Sequence, residues 1–172
     1  MRKIKNWKLF TESVEESLED IKWILVDYDV EDYEYYPNSS NLISFLVNDK
    51  LTINKDFGRI ERLAKEEGWN VIYNDALIFY KGSKQEAIMN WLYENFSDLK
   101  PSKLESGRIG YHNSSNQLIF NYMPDSDDIE VYDILHYLPL RVLYNDGDKL
   151  DGILKWWLKK TYNINAWNIY LD

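Results

Sequence analysis

At 172 residues, with 45% apolar and 16% aromatic side chains against only 7 Gly and 4 Pro, the chain has the composition of one folded domain, or of two small ones sharing a core. The lack of any Cys excludes a disulfide frame, a thiolate zinc site and a cysteine nucleophile, and a chain with 2 His has little with which to build a His-based metal site. A net charge of -9 disfavours direct binding to nucleic acid, whose phosphates require a basic footprint, and leaves a basic protein surface as the expected kind of partner. No apolar run is long enough to span a membrane, so a soluble, cytoplasmic protein is expected.

The charge is unevenly spread. Residues 1–11 carry Arg2, Lys3, Lys5 and Lys8 and no acid, whereas residues 12–34 carry ten acids and one base, Lys22. A basic N-terminal segment (1–12) therefore precedes a first helix expected over 13–27, with Ser13 and Glu16 at capping-box spacing. Val14, Leu18, Ile21 and Leu25 share its apolar face, and Glu12, Glu15, Glu16, Glu19 and Asp20 lie elsewhere. Residues 28–36, YDVEDYEYY, alternate like a half-exposed strand, and Pro37–Asn41 mark a turn. Leu42–Val47 and Leu51–Ile53 suggest a second strand or a tight hairpin around Asn48 and Asp49, after which Asp56 would cap a helix over 57–67 that ends at Gly68. A hairpin across Asn74–Asp75 and a helix over 84–96 capped by Ser83 complete a first α+β unit, 13–98.

Residues 99–106, with Pro101, have the look of a linker to a second unit, 107–172. There the pattern predicts a hairpin around Asn113–Asn116, a helix over 127–138 capped by Ser126 or Asp127, a strand at 140–144, a helix over 148–161 and a last strand at 166–171. The fold class expected is α+β, with antiparallel strand pairs and helices packed on them. Two features suggest a duplicated helix-strand-strand-helix-strand-strand unit. One helical pattern recurs as LEDIKWIL (Leu18–Leu25), QEAIMNWL (Gln85–Leu92) and LDGILKWWL (Leu150–Leu158), and VIYND (Val71–Asp75) is echoed by VLYND (Val142–Asp146).

Catalytic templates are not found: the chain has no GxSxG, phosphate loop or HExxH, and His112 and His136 each lack a visible partner. The acidic clusters at Asp125, Asp127, Asp128 and Glu130, and at Asp146, Asp148 and Asp151, lie where helices are expected to start, so capping explains them without a cation. A non-enzymatic protein with no cofactor and no metal is expected. The most unusual surface is the strip from Asp27 to Tyr36, in which Asp27, Asp29, Glu31, Asp32 and Glu34 interleave with Tyr28, Tyr33, Tyr35 and Tyr36. Such a strip could mimic nucleic-acid charge before a basic groove, or could be an edge strand whose charges discourage aggregation. Trp156 and Trp157 cannot both face one core from a helix, so one of them is expected to meet another layer, an oligomer contact or a partner.

The opening MRKIKNWKLFTES resembles the capsid-targeting leaders of internal head proteins of tailed bacteriophages: basic, amphipathic and ending in hydrophobic-x-Glu before a small residue. Phe10 stands where Leu or Ile is usual in that pattern. The resemblance implies cleavage after Glu12, before Ser13, and a phage accessory or virion-associated protein in the host cytoplasm or the virion. The same residues could instead form a basic arm that docks on the acidic helix after it. The alternative function, drawn from the strip, is an acidic inhibitor that occupies a basic nucleic-acid-binding site on a host or defence protein.

Overall fold

The computed structural model describes residues 15–32, 38–74, 76–132, 143 and 147–171. The chain is an α+β protein in two compact units, Met1–Trp91 and Leu92–Asp172. Of residues 99–106, Lys100–Lys103 form a strand and Glu105 begins a short 3-10 turn.

In the first unit, α1 (residues 15–22) leads through turns at 23–27 to strand β1 (Val30–Asp32). Strand β2 (Leu42–Val47), helix α2 (Lys50–Glu66), strands β3 (Asn70–Asn74) and β4 (Ala76–Tyr80) and helix α3 (Lys84–Phe96) follow. The sheet is antiparallel in the order β1-β2-β4-β3, with Val30 opposite Val47 and Leu42 opposite Tyr80. The central strands β2 and β4 are buried at nearly every residue, so they read as continuous apolar runs without alternation. One face, with Ile43, Phe45, Leu77 and Phe79, packs on Ile21, Ile24 and Leu25 and on Ile53, Ile60 and Ala64 of α2.

Helix α2 starts seven residues before the expected position. Its N-cap is Asp49, whose carboxylate accepts from the Thr52 N–H at 3.1 Å and the Thr52 hydroxyl at 2.6 Å. Leu51–Ile53, expected as strand, are its first turn, and Asp56 lies inside it. The helix ends as expected at Gly68, which has φ +83°. There the Trp69 N–H reaches the Ala64 carbonyl and the Gly68 N–H reaches that of Lys65, the paired bonds of a Schellman cap. Ser83 caps α3, its hydroxyl accepting from the Glu86 N–H at 3.1 Å.

The second unit is a five-stranded sheet in the order β5-β6-β7-β8-β9, formed by β5 (Lys100–Lys103), β6 (Ile109–His112), β7 (Leu118–Met123), β8 (Asp128–Val131) and β9 (Asn168–Leu171). Pro101 is tolerated in β5 because this strand lies at the sheet's edge, where a missing N–H breaks no central ladder. Residues 128–131, expected as helix, continue the meander as β8, antiparallel to β7 across a turn at 124–127 where Asp127 has φ +55°. The Tyr122 hydroxyl donates to the Asp127 carboxylate at 2.6 Å, so this acid closes a hairpin turn and caps no helix. The remainder of the expected helix, to 138, and most of the expected strand at 140–144 lie outside the described residues, although Leu143 is helical and buried. Strand β9 joins β8 in parallel, as a crossover through helix α4 (Gly147–Tyr162) permits.

Rings hold α4 on this sheet. Tyr111 stacks on Phe120 at 4.4 Å between centroids, Trp157 meets Phe120 edge-on at 5.8 Å, and Tyr162 meets Tyr111 at 5.2 Å. The Tyr162 hydroxyl also donates to the Phe96 carbonyl and accepts from the Leu99 N–H, which ties the end of α3 to this cluster. The two sheets differ in strand order and in the direction of one pair. Of the two VxYND segments, Val71–Asn74 lie in β3, and the second lies outside the described residues except for Leu143.

Candidate protein-binding surface

The acidic strip enters the structure where α1 ends. Helix α1 exposes Glu15, Glu16 and Glu19, and the turns at 23–27 carry the chain into β1, which lies at the sheet's edge among the described strands. Because β1 is extended, Asp29 and Glu31 fall on one side and Val30 on the other. The Asn48 side-chain amide donates to both carboxylates, at 3.1 Å to Asp29 Oδ1 and 3.3 Å to Glu31 Oε1, while its backbone N–H donates to the Asp29 carbonyl at 3.0 Å. One neutral donor thus holds two like charges in fixed positions at the surface. Asp27 is exposed beside them.

Tyr28 has a different role. Its hydroxyl donates to Asp56 of α2 at 3.1 Å and accepts from the Arg59 guanidinium at 3.3 Å. Burial, then the Asp56 hydrogen bond, pushes its phenol above the usual tyrosine range. Tyr28 therefore anchors the strip to α2 and is not a freely presented contact. Asp32 pairs with Phe45 in the ladder, and Tyr33, Glu34, Tyr35 and Tyr36 lie outside the described residues.

Two apolar residues complete the surface, and the sequence reading missed both. Trp23 is 48% exposed and Val26 76% exposed, directly before Asp27. Trp23 follows Ile21 by two residues, which turns it about 200° away from the buried face of α1. That spacing was the available signal. On the side of β1 that carries Val30, opposite Asp29 and Glu31, a groove of about 270 Å³ is lined by Lys22, Leu25, Tyr28, Val30 and Phe45. The exposed surface thus brings carboxylates and an indole into one short stretch of chain, Trp23 to Glu31.

The tryptophan pair of α4 divides as its geometry requires. Trp157 is 1% exposed and belongs to the core, so it is removed from the set of partner contacts, while Trp156 is 43% exposed. His112 approaches Ser102 at 3.3 Å across the β5–β6 pair, and His136 lies outside the described residues. Among the described residues no three His, Asp or Glu side chains are grouped so as to hold a metal, and no helix is long and apolar enough to cross a membrane. No family model, curated protein or solved structure matches the chain.

Proposed function

We propose that this is a non-enzymatic protein that works by binding another macromolecule, with the surface from Trp23 to Glu31 as the docking site for a basic protein partner. The observation that carries this reading is the clasp of Asp29 and Glu31 by Asn48 at the sheet's edge, next to exposed Trp23 and Val26. Binding surfaces join apolar anchors to a polar rim, and fixed charges steer and orient a partner of opposite sign. The leader-like residues 1–13 support a phage accessory or virion-associated role, in the host cytoplasm or the virion. A second reading draws on the same strip. Carboxylates on alternate residues of a strand recur about every 6.7 Å, a regular line of negative charge suited to an inhibitor that fills a basic nucleic-acid-binding groove.

The test compares wild type with D27N/D29N/E31Q. Each is used to capture basic proteins from the source cell at about 0.1 M salt, and the affinity of what is retained is then measured against salt. The triple variant should bind at least about tenfold more weakly, with a flatter salt dependence. Unchanged affinity and slope would overturn the proposal.

A further inference from the structure

The three copies of the helical pattern place their tryptophans differently. Trp91 is fully buried, whereas Trp23 and Trp156 are exposed, one in an acidic setting and the other in a basic one. Around Trp156, helix α4 exposes Lys149 seven residues before it and Lys159 and Lys160 three and four after it, all toward one side of the helix. Four residues before Trp156, Gly152 leaves open space on the helix, since an added Cβ there would meet nothing within 4 Å. Lys155 is held by Asp151 at 3.0 Å, and Lys159 donates to Asn163 at 3.0 Å, which keeps its ammonium group on this face.

This face has the chemistry that the acidic surface calls for: ammonium groups around one exposed aromatic ring. We infer that the protein associates with itself head to tail, the α4 face of one copy docking on the Asp27–Glu31 surface of a second copy. Lysines 149, 159 and 160 face the carboxylates of Asp27, Asp29 and Glu31, and the Trp156 indole covers the exposed apolar area at Trp23 and Val26. This inference rests on the reading of the acidic strip as a binding surface and identifies its partner. The net charge of -9 on each copy does not prevent it, because repulsion beyond about 10 Å is screened at about 0.1 M salt while ion pairs in contact are screened far less. Each copy has one surface of each kind. The contact is therefore heterologous, and it propagates into chains or closes into a ring.

The experiment is sedimentation velocity on the full chain over a range of concentrations, at about 0.1 M and about 0.5 M salt. Three proteins are compared: wild type, the acidic-surface variant D27N/D29N/E31Q and the basic-face variant K149Q/K159Q/K160Q. Wild type should grow in mass with concentration at low salt and fall to monomer at high salt. Each variant alone should stay monomeric at concentrations where wild type assembles, with an unchanged circular dichroism spectrum. Mixed, the two variants should form a one-to-one dimer that grows no further, since only one intact pair of surfaces remains. W156A should weaken assembly at least about tenfold with its salt dependence preserved. A wild type that stays monomeric at every concentration, variants that assemble as wild type does, or a mixture no larger than its components would overturn the inference. If the inference alone fails, wild type still captures a basic partner through Asp27, Asp29 and Glu31; if the reading beneath it fails, D27N/D29N/E31Q loses no binding of any kind.

Discussion

Trp156 and Trp157 are neighbours in sequence, yet about 100° of helix rotation gives them opposite duties. Trp157 sits among Phe96, Phe120 and Tyr162 with its Nε1 buried and unpaired among the described residues, so its contribution is ring area and edge-on contact rather than a hydrogen bond. Truncating it to Ala should cost about 3–5 kcal/mol by leaving a cavity among rings. Trp156→Ala should cost no more than about 0.5 kcal/mol, as at an ordinary surface position. Denaturant unfolding of the two variants checks this, and equal losses would contradict the assignment of the rings. The sequence shows that one of the pair must leave the core but not which one. Trp91 and Trp156 both follow an Ile by three residues, and only Trp91 is buried, so the choice rests on tertiary neighbours that spacing does not encode.

At the scale of elements, most of the helices and hairpins were legible. The Ser83 cap and helix α3 were found, as were the hairpins of β3 with β4 and of β6 with β7, because a cap residue or a Gly/Asn/Asp-rich turn marks each boundary. The failures share a cause, since short polar residues serve helix caps and turns equally well. Asp56 looks like the cap of α2 in place of Asp49 because Leu51 and Ile53 look strand-like; Leu51 is in fact 83% exposed, and only the longer period through Ile53, Phe57, Ile60 and Ala64 shows the helix. Asp125 and Asp127 likewise lie in a turn between strands, and Asp128 opens β8. The Asp49 cap has a pH signature. The Thr52 hydroxyl, then the Thr52 N–H, holds this carboxyl below its ordinary value of 3.8. A depressed carboxyl stabilises the fold at pH values above its ordinary range, and that contribution is lost as pH falls through the folded value. Asp49→Ala should therefore lower the melting temperature by a few degrees at neutral pH, and the gap from wild type should close as pH is lowered past the carboxylate range. A gap constant from neutral to acid pH would show that the cap does not act through its charge.

On the scale of the whole molecule, charge organises the surface more than it organises the fold. Residues 12–34 alone carry a charge equal to that of the entire chain, and where they are described they form a helix and an edge strand of the first unit. The strip itself was legible as alternating acids and tyrosines. Its construction was not, because the Asn48 clasp and the Tyr28 anchor to Asp56 and Arg59 join residues 17 to 31 positions apart through the tertiary fold. Hydrogen exchange, measured on the protein alone and with its captured basic partner at low salt, tests most directly whether this surface is where binding occurs. The account predicts slowed exchange at residues 23–32 in the complex, reversed at high salt, and slowed exchange at 149–160 as well if the partner is a second copy. A complex that leaves residues 23–32 unchanged while protecting amides elsewhere would contradict it.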